Sequence, residues 1–143
     1  MLRITKARPK DFEIIFELLK KLYVKDKLSK SKTQEIFLNS VKQKNSSQFV
    51  VKEENKIVGY VAVQMRNDIQ SQGKIGYLSE LIIEENYRGK GIGTTFLKEI
   101  MKSSKKNGCK EIQFPSTFPR KKAHKFYKSL GFHKTAYFLW KKL

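Results

Sequence analysis

Three glycines alternate with other residues just after an apolar segment, and two basic side chains stand among them: Gly89, Gly91, Gly93, Arg88 and Lys90. Glycine adopts positive φ readily and lets the backbone approach a ligand without a Cβ in the way. Successive N–H groups in such a turn can converge on one anion, and a helix that begins there adds the positive end of its dipole. These residues predict a phosphate-binding turn, with an ordinary strand–helix connection as the alternative.

Two familiar phosphate loops do not fit this segment. A dinucleotide fingerprint that starts at Gly89 needs glycine where Thr94 stands, and it also needs repeated βαβ units. A P-loop needs Gly-Lys-Ser/Thr after four intervening residues, which is absent. The pattern present is Arg-x-x-Gly-x-Gly, as Arg88-Gly89-Lys90-Gly91-Ile92-Gly93. At the end of a strand, it resembles the acetyl-coenzyme A loop of the GCN5-related N-acetyltransferase (GNAT) family.

A second segment, near the C-terminus, predicts an amphipathic helix. Its apolar residues recur at i, i+3, i+4 and i+7, namely Ala123, Phe126, Tyr127 and Leu130. Gly131 is placed to end this helix, with Phe132 available for the hydrophobic contact that often accompanies such an end. Pro119 suits its start. The GNAT resemblance also predicts a tyrosine helix before a Gly-Phe pair, so the two segments agree.

The resemblance implies a role for each of these groups. The backbone of Leu81, Ile82 and Ile83 would pair with the amides of the pantetheine arm, as an extra strand would. Main-chain groups from Arg88 to Thr94 would hold the pyrophosphate, with help from the Thr94 hydroxyl. Tyr127 would be the general acid toward the departing thiolate, although an aromatic residue on an apolar helical face is more often packed in the core.

The general base is less well defined by the sequence. Glu80 precedes the cofactor strand where many relatives carry glutamate, but strand alternation puts it on the opposite face from Leu81. A solvated or structural glutamate is therefore an equal alternative, and Glu84 and Glu85 could instead balance the basic loop or meet an amine. Arg120 stands where many relatives carry asparagine, which leaves the cofactor contacts at that corner open.

The remaining pattern predicts the elements that position these residues. Apolar periodicity and turn residues give the order β-α-α-β-β-β-α-β-α-β, with Asp11 capping the first helix. The predicted elements cover residues 2–4, 12–22, 32–42, 48–52, 57–66, 75–83, 91–106, 110–114, 121–130 and 135–142, and residues 67–74 are predicted to be a loop. This is the family's order. It implies an α/β (mixed α+β) fold, a GNAT-like twisted mixed β-sheet flanked by helices, as one N-acetyltransferase domain over residues 1–143.

Composition sets the wider limits. The chain has 143 residues and a formal net charge of +18, for which the dispersed lysines indicate an ordinary charged surface more than a nucleic-acid-binding face. The lone Cys109 and the absence of a metal-ligand cluster predict a reducing, cytoplasmic setting without a metal cofactor. No apolar run is long enough for a membrane span. Cys109 lies outside both motifs and is a poor candidate nucleophile.

Three functions stay open on this evidence. The favoured one is an acetyl-CoA-dependent N-acetyltransferase in which a small-molecule or peptide amine attacks the thioester directly. The alternatives are a non-catalytic acyl-CoA-binding domain and a basic nucleic-acid-binding domain. Substrate specificity is expected from residues 24–33, 67–74 and 114–119; the first is rich in lysine, which favours an acidic substrate. A homodimer through a sheet edge or the C-terminal strand is also compatible with the sequence.

Overall fold

A computed structural model describes residues 1–116 and 120–143, which divide into two compact units, 1–113 and 114–143. The first unit contains β1 (Leu2–Lys6), α1 (Phe12–Leu22), α2 (Lys30–Lys42), β2 (Ser46–Glu53), β3 (Lys56–Asp68), β4 (Gly73–Ile83), α3 (Ile92–Lys106) and β5 (Cys109–Gln113). Within residues 1–113, all of them described, the strands form one sheet in the order β1-β2-β3-β4-β5. Neighbouring strands are antiparallel from β1 to β4, and β5 is parallel to β4. The predicted mixed sheet is confirmed.

One face of the sheet packs against α1 and α2. The buried cluster there consists of Ala7, Phe12, Ile15, Phe16, Leu18, Leu19, Phe37, Val50, Ile57, Tyr60, Ala62 and Ile82. Aromatic rings connect its layers, because Phe12 lies 5.7 Å from both Phe16 and Phe37, and Phe37 lies 6.4 Å from Tyr60, measured between ring centroids. Such ring pairs add to the stabilisation from apolar burial, and here they connect α1 to α2 and α2 to β3.

The opposite face of the sheet packs against α3. The helix buries one stripe, Ile92, Phe96, Leu97 and Ile100, as its periodicity predicts. A Cβ at Gly76 of β4 would lie 3.3 Å from Val63 and 3.6 Å from the Ser104 hydroxyl of α3, so this helix lies close to the strand backbone. The helix connects β4 to β5 and makes their parallel pairing possible.

The second unit is built around α4 (Lys121–Ser129). The helix ends as predicted, because Phe132 N–H donates to the Tyr127 carbonyl at 3.1 Å and Gly131 N–H donates to the Lys128 carbonyl at 3.0 Å. These two hydrogen bonds define a Schellman motif, and the Phe132 and Tyr127 rings supply its hydrophobic contact. The predicted contribution of Pro119 to the helix start lies outside the described residues, as do the other residues in 117–119.

Several predicted details are wrong. Residues 135–142 form no strand in the part of the chain that is described, and Leu139 and Trp140 are 89% and 78% exposed. Their composition favours strands, but a strand also needs a hydrogen-bonded neighbour, which composition does not supply. The loop predicted at 67–74 shrinks to 69–72, because β3 and β4 continue their ladder to Asp68 and Gly73.

The predicted cap of α1 is also different in detail. Asp11 occupies the N-cap position but its carboxylate makes no cap hydrogen bond to the helix. It accepts instead from the Arg8 N–H at 2.8 Å, because a short 3-10 turn, Pro9–Asp11, precedes the helix and directs the carboxylate backward. For α2 the cap is Ser29, whose hydroxyl accepts from the Lys32 N–H, so that helix begins two residues earlier than predicted.

Gly59 of β3 provides a test of the packing between this strand and its neighbours β2 and β4. A Cβ at this position would lie 2.7 Å from side-chain carbons of Val51 and Ile83 and 3.0 Å from the Ile82 carbonyl oxygen. We expect Gly59→Ala to lower the free energy of unfolding in urea by about 1–3 kcal/mol, since packed neighbours must move. Gly73→Ala is the matched control, because the three atoms nearest to its Cβ would all belong to the flexible Lys110 side chain. Equal stability of the two variants would contradict this packing.

Candidate functional site

The end of β4 has one open edge. The parallel ladder with β5 pairs Lys74 with Cys109 at one end and Tyr77 with Gln113 at the other, and it stops there. The antiparallel ladder with β3 continues to Ile83, which pairs with Gly59. Leu78 and residues 80–83 therefore pair with β3 but not with β5, and Ser79 lies at a β-bulge in the ladder with β3, all of these residues being described. Within the first unit, no strand pairs with the β5 side of this segment, and an unpaired strand edge of this kind can bind an extended ligand.

The alternation of the strand identifies which residues face the open edge. Glu84 N–H donates to the Val58 carbonyl at 2.8 Å, so its backbone points toward β3, and so does that of Ile82 two residues earlier. Leu81 and Ile83 consequently point to the open side. The Ile83 carbonyl already accepts from Arg88 Nε at 2.9 Å. Of the three predicted strand residues, Leu81 and Ile83 present main-chain groups to the edge, and Ile82 instead pairs with β3.

The glycine turn follows β4 after five residues and contains a run of unpaired N–H donors. Gly91 is the N-cap of α3 at φ 78°, and Gly89 has φ 75°. The flanking hydrogen bonds run from Arg88 N–H to Glu85 O and from Thr95 N–H to Gly91 O, both at 3.1 Å. Between them, no acceptor among the described residues takes the N–H groups of residues 89–94. Unpaired amides at a helix N-terminus are suited to binding an anion.

Two lysines surround the tyrosine of this turn. The ammonium groups of Lys56 and Lys90 each lie 5.4 Å from the centroid of the Tyr87 ring. Tyr87 ends a short 3-10 turn, Glu85–Tyr87, between β4 and the glycines. Lys90 is exposed, and Lys56 comes from the start of β3, so the turn receives positive charge from a second strand. Sequence analysis did not predict the contribution of Lys56, since it lies more than thirty positions away.

Glu80 lies on the face of β4 that packs against α1 and α2. It pairs with Ala62, which belongs to the cluster under α1 and α2, whereas Leu81 pairs with Val61, so the predicted alternation is confirmed. The carboxylate is half-buried and accepts a hydrogen bond on Oε1 from the Tyr23 hydroxyl at 3.1 Å. Burial raises the pKa of Glu80, and the neighbouring Ser79 and Tyr23 hydroxyls partly oppose that increase. Of these two hydroxyls, that of Tyr23 donates to the carboxylate, whereas that of Ser79 donates to the Ala62 carbonyl at 3.4 Å.

Tyr127 lies in the second unit and is nearly buried, at 9% exposure. Its ring contacts Phe114 edge-on at 4.5 Å between centroids, and Phe126 and Phe132 are close by.

Two further residues named in the sequence analysis are Arg120 and Thr94. Arg120, at the N-cap of α4, is exposed and makes no side-chain cap hydrogen bond. Thr94 is half-buried in the first turn of α3.

A family model described as the acetyltransferase (GNAT) family matches residues 12–132. The chain belongs to this family of acetyltransferases. The resemblance predicted from the glycine turn and the tyrosine helix is thereby confirmed.

Outside the candidate site, burial raises the pKa of the Cys109 thiol. Among the described residues, no group of His, Cys, Asp and Glu residues could hold a metal ion. No described helix is long and apolar enough to cross a membrane.

Individual GNAT proteins resemble the chain to different extents. An uncharacterized N-acetyltransferase of Methanocaldococcus jannaschii is 30% identical over 86 residues, which cover 59% of this chain and 38% of that protein. The chain spans well under two thirds of the length of this and other curated relatives. A predicted acetyltransferase from Clostridium acetobutylicum, with acetyl-CoA, has a TM-score of 0.81 at 20% identity, over 99% of this chain and 96% of that chain. An aminoglycoside N-acetyltransferase in complex with CoA has a TM-score of 0.88 at 14% identity, over 100% of this chain and 95% of that chain. At these identities the two structures establish the shared fold.

The raised pKa of Glu80 has a consequence for stability in this GNAT chain. Because the folded state binds this proton more tightly than the unfolded state, the contribution of Glu80 to stability is fully present below the unfolded pKa, near 4.5, and is lost as pH rises through the folded pKa. We expect Glu80→Gln to gain stability relative to wild type over that interval. The gain is about 1.4 kcal/mol for each pH unit that separates the two pKa values.

Urea unfolding of wild type and variant from pH 3.5 to 8 measures this difference. Glu85→Gln is the matched control, since Glu85 is an exposed carboxylate on the same segment. Parallel pH profiles for wild type and Glu80→Gln would contradict a desolvated carboxylate at position 80.

Proposed function

We propose that the protein transfers an acetyl group from acetyl-CoA to a primary amine. The observation that carries this proposal is the run of unpaired amides over residues 89–94, which follows a short 3-10 turn after a strand with an open edge. A pyrophosphate requires several converging donors, and a pantetheine arm requires a strand edge for its two amides. The donor set therefore fits both parts of the coenzyme. The GNAT membership of the chain supports the same co-substrate.

In this proposal the main chain binds the coenzyme. The amides of residues 89–94 and the Thr94 hydroxyl hold the pyrophosphate, and Lys90 adds positive charge beside it. Leu81 and Ile83 offer main-chain groups to the arm. The hydrogen bond from Arg88 Nε to the Ile83 carbonyl holds the turn against the strand end, which supports a role for Arg88 in shaping the loop.

Side chains handle the protons. Acetyl-CoA supplies a thioester whose acetyl carbon accepts the amine. The amine must be neutral to attack, so a base has to remove a proton from the substrate ammonium. We propose that Glu80 is this base. Burial raises the pKa of Glu80 toward the working pH, which suits a group that accepts and then releases a proton.

Tyr127 is the proposed general acid toward the leaving sulfur. A phenol stays protonated at neutral pH and can donate. The contacts of its ring with Phe114 and Phe132 hold the side chain in one orientation, which supports a defined position for the hydroxyl. For the acceptor we favour an acid-bearing amine over a polycation, because the net charge of +18 repels polycations and Lys25 and Lys27 are exposed in the α1–α2 connection.

Coenzyme binding is tested by isothermal titration of acetyl-CoA into wild type and Gly91→Glu. The substitution adds a negative charge and a side chain at φ 78°, and we expect it to weaken binding at least tenfold at both 0.1 and 0.5 M salt. Gly108→Glu is the matched control. That position has φ 90° and equally open surroundings, but it lies at the other end of α3.

The titration separates the alternatives. Equal affinity in the two variants would contradict a coenzyme site at the glycine turn. Binding that high salt removes equally from all three proteins would favour nonspecific attraction of a polyanion. Saturable binding without turnover on any amine tested would favour a non-catalytic acyl-CoA-binding domain.

The proposed role of Tyr127 as general acid is tested with the variant Tyr127→Phe. Its acetyltransferase activity is measured as release of the CoA thiol. The acceptor is the best of a panel that contains an acidic lysine peptide, a peptide with a free α-amine, spermidine and glucosamine 6-phosphate. We expect kcat to fall about 100-fold while the affinity for acetyl-CoA is unchanged, since only proton donation to the sulfur is lost. An unchanged kcat would show that Tyr127 is a packing residue.

A further inference from the structure

Tyr23 connects the end of the first helix to the strand that carries Glu80. It is the C-cap of α1, where its N–H donates to the Leu19 carbonyl at 2.9 Å and its φ and ψ leave the helical region. The ring then packs against the cluster under α1 and α2. Its hydroxyl lies 3.1 Å from Glu80 Oε1 and 3.3 Å from the Ser79 carbonyl oxygen. A phenol has one proton, so the shorter contact to a carboxylate is the preferred hydrogen bond.

The position of this hydroxyl is fixed by the surrounding structure. Phe12 and Phe16 of α1 are buried in the cluster between the helix and the sheet, and the Lys21 ammonium forms an ion pair with Glu84 Oε1 at the end of β4. Two polar contacts therefore join the last turn of α1 to β4, one on each side of the apolar strand residues 81–83. A donor on a helix end that is held in this way keeps its geometry without a large loss of side-chain entropy.

The groups around Glu80 make this donor important. Tyr23 approaches from α1, Tyr60 from β3, and Ser79 and Tyr77 from β4, while Asp26 lies near Tyr23. No ion pair reaches Glu80 within the described ranges. Burial and the negative charge of Glu80 raise the pKa of Tyr23, so the phenol stays a donor. The ionised carboxylate is therefore stabilised by neutral hydroxyl groups and not by a cation.

We propose that Tyr23 is the positioning residue of the base: its hydroxyl donates to Oε1, favours the ionised form of Glu80, and leaves Oε2 as the oxygen that accepts the amine proton. This inference rests on the proposed function of Glu80. The proton moves from the substrate ammonium to Oε2 and later to solvent, so the Tyr23 proton stays on its own oxygen throughout. Tyr23 also begins the lysine-rich α1–α2 connection, which joins the expected substrate segment to the base.

The test combines a measurement that needs no turnover with a pH profile. Glutamate labelled with carbon-13 at the carboxyl gives the Glu80 pKa by NMR titration, with Glu80→Gln to assign the resonance. We expect Tyr23→Phe to raise that pKa, because it removes a hydrogen bond that favours the ionised form. The acidic limb of kcat/KM should move to higher pH with it, so that activity at pH 6 falls about three- to tenfold and recovers partly at pH 9.

Tyr60→Phe is the matched control. It removes a hydroxyl from the same cluster, but Tyr60 makes no hydrogen bond to Glu80 in the part of the chain that the structure describes. We expect this variant to leave both the Glu80 pKa and the acidic limb where they are in wild type. Amide spectra of the variants show whether the fold is retained.

The outcomes distinguish the inference from the function on which it rests. An unmoved Glu80 pKa in Tyr23→Phe, or an equal shift in Tyr60→Phe, would overturn the positioning role while Glu80 could still be the base. Full activity in Glu80→Gln would overturn the base itself and the inference with it. A raised pKa with a displaced acidic limb in Tyr23→Phe alone is the expected result.

Discussion

The parallel strands β4 and β5 end at different points, and this difference in length determines the rest of the candidate site. The strand β5 ends at Gln113, opposite Tyr77, whereas β4 continues to Ile83. Because β3 pairs with β4 along this extra length, the strand continues although no other strand of the first unit, all of which is described, pairs with its second edge there. The chain then turns within a few residues into α3, so the unpaired amides of the helix N-terminus lie next to the unpaired edge. One constraint of strand length thus places two kinds of main-chain donor together.

The two faces of β4 differ in polarity. The face under α3 is apolar, and it fixes the strand and the helix whose N-terminus forms the turn. The face under α1 and α2 carries Glu80 at the edge of an aromatic cluster, where it is only half exposed. Partial desolvation of a carboxylate has a cost that a stable fold without function would avoid. Here the hydroxyl of Tyr23 offsets part of that cost, and the remainder keeps the proton affinity of the carboxylate high.

The glycine turn could be predicted from sequence because it is defined locally, whereas the surroundings of Glu80 depend on distant residues and could not. Glycines at fixed spacing before an apolar stripe define the turn locally, and the Schellman end of α4 follows from Gly131 and Phe132 in the same way. The contact between Tyr23 and Glu80 joins residues 57 positions apart, and no periodicity in either segment predicts it. The strand predicted at 135–142 failed for a related reason, since composition does not specify a pairing partner.

The many lysines of the chain also make Glu80 different from its other acidic residues. Acidic side chains such as Glu13, Glu17 and Glu84 are within ion-pair distance of lysines, as expected in a chain with so many cations. Glu80 differs, because no ion pair reaches it among the described residues and its carboxylate accepts instead from the Tyr23 hydroxyl. A direct cation would stabilise the carboxylate strongly and would make it a poor proton acceptor. A neutral hydroxyl donor stabilises it less, and that moderate stabilisation is compatible with the role of base that we propose for Glu80.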